Sequence, residues 1–248
     1  MILLMSPAKM MRSHDAQSRH DRAFIKETRY LSGLLKKWSV NDLQTHMKLS
    51  KEKAHQTHEM LKNWGKKTNQ VNGAPALYAY IGEAYKSLDA DSLNLDELIY
   101  LKESLYILSG LYGVLRADDF IEPYRLEMAQ RGLLPTGISL YAYWEKAVNT
   151  YFHLIYENQA LINLASSEYS AVIQDGVLRS KMITPTFFEL KNGQLKAISV
   201  FSKQARGAMI RWCASNQVKD PEKIKHFDLL GYRFSKELSN ATEWVFVR

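Results

Sequence analysis

Residues 105–128 read LYILSGLYGVLRADDFIEPYRLEM, and the rest of the chain is organised around them. The segment opens apolar (Leu105, Tyr106, Ile107, Leu108), breaks at Ser109-Gly110 and carries a second glycine at Gly113. Arg116, Asp118 and Asp119 come next, followed by Glu122-Pro123-Tyr124-Arg125-Leu126-Glu127. Glycines this close together let the backbone turn sharply and leave N–H groups uncovered. A proline-fixed polar run directly after an apolar one fits two arrangements. One is a tight turn plus a surface loop, and the other is a functional loop held against a core.

Outward from that segment, 248 residues with 46% hydrophobic content suffice for a real core and exclude a disordered chain. No apolar run reaches membrane-spanning length, so no membrane association is expected. The opening MILLMSPAK lacks a basic leader and does not read as a secretory signal. A single cysteine, Cys213, permits neither an internal disulfide nor a thiolate metal cluster. A cytoplasmic protein is expected. The net charge of +7 is segregated. Basic residues exceed acidic ones by eight in residues 1–70 and by seven in 176–248, whereas acids exceed bases by eight in 71–175. Two basic ends around an acidic middle suit either a phosphate-facing surface or ordinary solvated lysines.

In chain order, Ile2 to Met5 forms a short apolar strand, and Ser6-Pro7-Ala8-Lys9 opens at its end, where functional side chains commonly sit. Phe24, Ile25, Leu31, Leu34, Leu35 and Trp38 recur at helical spacing over residues 18–38. Ser39 and Ser50 each start a further helix. Five of the seven histidines (His14, His20, His46, His55, His58) fall in this region. His55 and His58 share a helix face but lack a third ligand at motif spacing, so no metal site is expected. Residues 70–75 (QVNGAP) form a turn-rich connector where the charge changes sign, a candidate subregion boundary within one domain spanning 1–248. Tyr78, Tyr80 and Tyr85, around Gly82, read as core tyrosines.

Past the central segment, Leu140 to Tyr156 is an amphipathic helix with Tyr141, Trp144, Val148, Tyr151, Phe152 and Ile155 as its buried stripe. Leu161 to Leu164 is a strand that runs into Ala165-Ser166-Ser167-Glu168. There a serine cap and an acid in the first turn explain the pattern as well as a site does. Asn192-Gly193 between two β-rich runs, Ile183–Leu190 and Leu195–Phe201, signals a hairpin. A helix then covers about Ser202 to Asn216. Ala205, Ala208, Met209, Trp212 and Cys213 share one face, with Lys203, Arg206 and Arg211 on the other. Gly207, between them, costs about 1 kcal/mol in a helix, and it can let a phosphate backbone approach closely. The order of elements predicts a single mixed α+β domain with a central sheet and surrounding helices. No Walker loop, dinucleotide fingerprint, zinc spacing or nucleophile elbow is present, and no cofactor is expected.

These blocks together resemble the bacterial YaaA peroxide-stress family. The resemblance rests on LSGLYGVLRADDFIEPYRLEM (108–128), on Ser6-Pro7-Ala8-Lys9, and on Leu77-Tyr78 through Gly82 and Tyr85 to Asp89. It continues through Leu140-Tyr141 to Trp144, Asn163 to Ser166 with Glu168-Tyr169, Lys203 through Arg206-Gly207 to Arg211, and Gly231-Tyr232. It implies a compact α+β fold with a positively charged cleft and a helix-hairpin-helix-like element. It also implies DNA binding and protection against peroxide by limiting free iron. If the helical hairpin carries over to Leu105–Leu115, the amides of Ser109, Gly110 and Gly113 would face phosphates. Ala117, Ala129 and Gln204 depart from the family's proline, glycine and lysine.

Two functions follow. The first is sequence-independent binding of double-stranded DNA, with phosphate contacts from Lys9, Ser109, Gly110, Gly113, Arg116, Arg125, Lys203, Arg206, Gly207 and Arg211. The second is an enzyme acting on a nucleotide or another phosphorylated small molecule, with Ser6, Lys9, Tyr124, Glu127 and Glu168 as candidate catalytic groups. A closed pocket favours the second, and a long open groove favours the first. Three segments (Ser6–Lys9, Tyr124–Glu127 and Lys203–Arg211) are expected to meet in one cleft, with Glu127 paired to a neighbouring cation.

Overall fold

The computed structural model describes residues 1–14, 22–66, 73–135, 137–156, 159–180 and 182–248. His20, the side chain of Ile155 and residues 70–72 of the connector lie outside these described residues. The architecture is a mixed α+β fold built on an eight-stranded sheet. Across the sheet the order is Arg233–Ser235, Glu243–Val247, Met182–Lys191, Leu161–Leu164, Ile2–Met5, Leu105–Ser109 and Gly113–Arg116. Gln194–Lys196 pairs with Met182–Lys191 as the eighth strand. The five central strands are mutually parallel, and Ile2–Met5 lies between Leu105–Ser109 and Leu161–Leu164. Ile2 to Met5 are buried throughout, the pattern of a strand covered on both faces.

Helices cover the sheet through much of the stripes that the sequence predicts, with Tyr141, Tyr151 and Trp212 only half-buried. Along Leu140–Tyr156, Trp144, Val148 and Phe152 are fully buried. Along Ser199–Ser215, Ala205, Met209 and Cys213 are fully buried. The hairpin turn has left-handed backbone at Asn192 (φ 53°) and Gly193 (φ 75°), the conformation that Asn-Gly favours. Its second strand is shorter than expected: pairing ends at Lys196 and the helix begins at Ser199, so residues 199–201 are helical. The first predicted helix is confined to Ile25–Leu35 within the described residues.

One expectation is corrected outright. Leu105–Leu115 is not a helical hairpin but an antiparallel β-hairpin, with Ser109 opposite Gly113 and Tyr106 opposite Arg116. The run Leu105 to Leu108 is buried on both faces, and an apolar stretch this short carries no period that distinguishes strand from helix.

Candidate functional site

A parallel sheet collects loops at the carboxyl ends of its strands. Here three such ends adjoin: Met5-Ser6, Ser109-Gly110 and Leu164-Ala165. Ser6 and Ser166 are tied directly across this edge. The Ser166 backbone N–H donates to Ser6 Oγ at 2.8 Å, and Ser6 Oγ donates to Ser166 Oγ at 3.2 Å. Tyr85 Oη donates to the Ser6 carbonyl at 3.0 Å. Ser166 does begin a short helix, but its hydroxyl makes no cap, because Ser6 holds it.

The hairpin turn fixes the segment that follows Pro123. Ser109 Oγ accepts from Tyr112 N–H at 3.0 Å and lies 2.7 Å from Tyr124 Oη, which in turn lies 2.9 Å from Tyr80 Oη. Gly110 has to be glycine, since a Cβ there would sit 2.6 Å from the Leu126 carbonyl oxygen and 3.1 Å from the Glu127 carbonyl carbon. At Gly113 the backbone is left-handed (φ 71°), and a Cβ would press to 2.8 Å from the Trp144 ring. The chain through Tyr124, Leu126 and Met128 thus lies down over the turn, with those three side chains buried. Arg125 and Glu127, alternating with them, face outward into a pocket.

That pocket has a volume of about 410 Å³. It gathers Ser6 to Lys9, Tyr124 to Glu127, Glu168, Lys203 and Arg206, together with Glu83, Tyr85, Lys86 and Tyr169. Lys9 Nζ is 2.9 Å from a Glu127 carboxylate oxygen, and Arg125 is 3.8 Å from the same oxygen. Glu127 is therefore paired as the sequence suggests. Glu168 accepts the Ala129 N–H at 3.2 Å. Gln204 donates to Glu83 at 2.7 Å. This bond and the neighbouring Lys86 hold the Glu83 carboxyl below its usual range. Five cations line the pocket (Lys9, Lys86, Arg125, Lys203, Arg206) against three carboxylates (Glu83, Glu127, Glu168).

Arg206 differs from the other four cations. It is half-buried, its Nε is shielded from solvent without a hydrogen-bond partner among the described residues, and burial lowers its pKa. Burial pushes Tyr124 up to about 12 and raises Tyr80, Tyr85 and Tyr169 as well. The phenols near the pocket are therefore neutral donors and not bases at ordinary pH.

Several expected contacts lie elsewhere. Ser109, Gly110 and Gly113 are buried in the hairpin turn and do not line this pocket. Gly207 makes a close approach, but to protein: a Cβ there would lie 1.8 Å from the Ala84 carbonyl oxygen, where Ser199–Ser215 crosses Glu83–Leu88. Arg211 is committed to that junction. It donates to the Asp89 carbonyl at 3.0 Å and Ser92 Oγ at 2.8 Å, and lies 3.6 Å from Glu97. Arg116 is at the opposite end of the hairpin and pairs with Asp118 and Asp119. Of the three segments expected to converge, the Ser6–Lys9 and Tyr124–Glu127 segments do so fully, and the basic helix does so through Lys203 and Arg206. Tyr85, which the sequence marked only as core, lines the pocket, and so does Tyr169, to which the sequence assigned no role.

A mixed α+β protein with its motif residues gathered at the carboxyl ends of parallel strands has a defined relationship to known proteins. A family described as "Peroxide stress protein YaaA" matches residues 1–238. UPF0246 proteins of Janthinobacterium sp. (strain Marseille) and Ralstonia pickettii (strain 12J) are 39% and 38% identical over 255 residues. They align over 100% of this chain and 98% and 99% of their own lengths. A UPF0246 protein of Legionella pneumophila strain Philadelphia 1 is 38% identical, again over 100% of this chain and 99% of its own. The chain belongs to the YaaA family, and its biological setting is the peroxide stress response. Among the described residues no helix is long and apolar enough to cross a membrane.

Proposed function

We propose that the pocket binds a phosphorylated ligand of nucleotide type, and that this binding underlies the protein's part in the peroxide stress response. The observation that carries the proposal is Arg206. A guanidinium taken partly out of water without a carboxylate is unfavourable unless an acceptor arrives, and a phosphate supplies a bidentate one. Lys203 and Lys9 add charge at the rim. Two carboxylates, Glu127 and Glu168, lie among these cations, as a general base for an enzyme acting on such a ligand would. A pocket of about 410 Å³ fits one small molecule and is too small for a duplex.

The test is an equilibrium titration with a nucleoside diphosphate. Arg206→Ala should weaken binding by at least about tenfold, and Lys203→Ala by less, with the fold intact by circular dichroism. Equal affinity in Arg206→Ala and the native chain would refute the assignment.

A second reading, sequence-independent duplex binding, draws support from a different element. Val40–Met47 and Lys51–Asn63 are two helices joined by three residues, with Lys48 left-handed (φ 51°) and Ser50 accepting from Lys53 N–H. Lys48, Lys51 and Lys53 are exposed around this turn. We place the helix-hairpin-helix-like element here and not at Leu105–Leu115. Gln130 donates to the His46 carbonyl at 3.1 Å, so the loop after Glu127 links this hairpin to the pocket rim. Replacing the three lysines with alanine should make the salt dependence of duplex binding shallower, by up to about 0.9 log units for each phosphate no longer neutralised. An unchanged slope counts against this reading.

A further inference from the structure

A second concavity, of about 500 Å³, shares no lining residue with the motif pocket. Four of its lining side chains are cationic (Arg22, Arg29, Lys36, Lys66), and one, Glu122, is acidic. The local sequence dictates this arrangement. Arg29 and Gly33 are one turn apart on Ile25–Leu35, and Lys36 caps that helix. After Lys51–Asn63, Gly65 turns left-handed (φ 75°) and presents Lys66 to the same basin.

The floor is ordered. Trp64 is buried, and its indole N–H donates to Tyr112 Oη at 2.9 Å. The Arg22 guanidinium lies 5.9 Å from the Trp64 ring and 5.4 Å from the Tyr112 ring. Lys36 Nζ lies 5.7 Å from the Trp64 ring and donates to the Trp64 carbonyl at 2.7 Å. Aromatic faces hold the cations in place without neutralising them. The acid is partly occupied, because Glu122 accepts the Gly65 N–H at 2.7 Å. Arg22 Nη1 is shielded from solvent and has no hydrogen-bond partner among the described residues. Such a group is stabilised only when an acceptor reaches it.

We propose that this basin is a second anion site that takes phosphate groups, independent of the motif pocket. Arg22 and Lys36 would form its ordered floor, and Arg29 and Lys66 its outer grip. The shared chemistry is a phosphoryl oxygen, whether carried by a free nucleotide or by a nucleic-acid backbone.

The test uses inorganic pyrophosphate titrated into the ¹⁵N-labelled full chain, read at the indole N–H cross-peak of Trp64. That peak is assigned by its loss in Trp64→Phe. Saturable movement of the peak is expected. In Arg29→Ala/Lys66→Ala, which alters two exposed side chains and leaves the floor intact, the dissociation constant should rise by about tenfold or more. Arg206→Ala should leave the Trp64 response unchanged, which separates this site from the motif pocket. A stationary Trp64 peak overturns the proposal. So does an undiminished response in the double variant, or a response abolished by Arg206→Ala. Repeating the titration with a nucleoside diphosphate and a short single-stranded oligonucleotide identifies the source, since the tighter of the two marks the ligand class.

Discussion

Lys9 and Glu127, 118 positions apart in sequence, meet at 2.9 Å on the rim of the motif pocket. Lys9 is 64% exposed and Glu127 34%, so water screens the pair and its worth to folding is at most about 1 kcal/mol. Its consequence is electrostatic placement: Glu127 also faces Arg125, and the one carboxylate holds two cations beside the ligand space.

Glu127→Gln should therefore leave the urea midpoint nearly unchanged while making binding of a nucleoside diphosphate more salt-dependent. Removing one negative charge frees Lys9 and Arg125 to meet phosphate. If Glu127 is instead a general base, binding persists but turnover of a substrate disappears. A titration at two ionic strengths, paired with denaturation, distinguishes these outcomes from simple unfolding.

Gly207→Ala should destabilise the fold by about 3 kcal/mol or more, at the upper end of overpacking effects. The new methyl would meet the Ala84 carbonyl backbone, which cannot rotate away as a side chain could. Chemical denaturation measures this directly. A variant with native stability and abolished phosphate binding would restore the reading of Gly207 as a gap for phosphate.

Much of this architecture was legible in sequence, because the signals were local. Asn192-Gly193 announced its turn through backbone chemistry, and the Trp144–Val148–Phe152 stripe announced a buried helix face through its period. The site was half legible. Pro-Tyr-Arg-Leu-Glu alternates buried and pocket-facing side chains, so Arg125 and Glu127 stood out as polar groups in an apolar setting. What could not be read was commitment across the chain. Arg206 and Arg211 share a basic face in sequence, yet Arg211 is bound to carbonyls more than 120 residues away. Gly207 likewise signalled a close approach without naming Ala84 as the neighbour.

Acid sensitivity should run through Glu97. The Ser215 hydroxyl, the Asn94 backbone N–H and Arg211 together hold its carboxyl below the usual glutamate range. A depressed folded pKa contributes stability that is complete above the unfolded value and disappears as pH falls through the folded one. Native stability should decline as pH falls below about 4.3, the unfolded glutamate value, and Glu97→Gln should flatten that part of the decline. Urea midpoints between pH 6 and pH 3 provide the measurement. Parallel curves for the two proteins would remove Glu97 from the account.

The sharpest test compares the two arginines of one helix. Arg206 has a shielded Nε with no acceptor among the described residues and lines the pocket, whereas Arg211 is fully engaged with the Leu88–Ser92 turn and Glu97. Arg206→Ala should leave stability within about 1 kcal/mol of native or raise it, since it removes an unsatisfied buried group. It should also weaken nucleoside diphosphate binding by about tenfold or more. Arg211→Ala should do the reverse. Removing its hydrogen bonds to backbone carbonyls and leaving buried Glu97 without its cation should cost about 2–3 kcal/mol, with ligand affinity nearly native. Denaturation and binding, measured on both variants under one buffer, give four numbers with a crossed pattern. If both variants lose binding equally and neither loses stability, the helix presents one continuous basic face to its ligand, and the pocket assignment gives way to an extended phosphate groove.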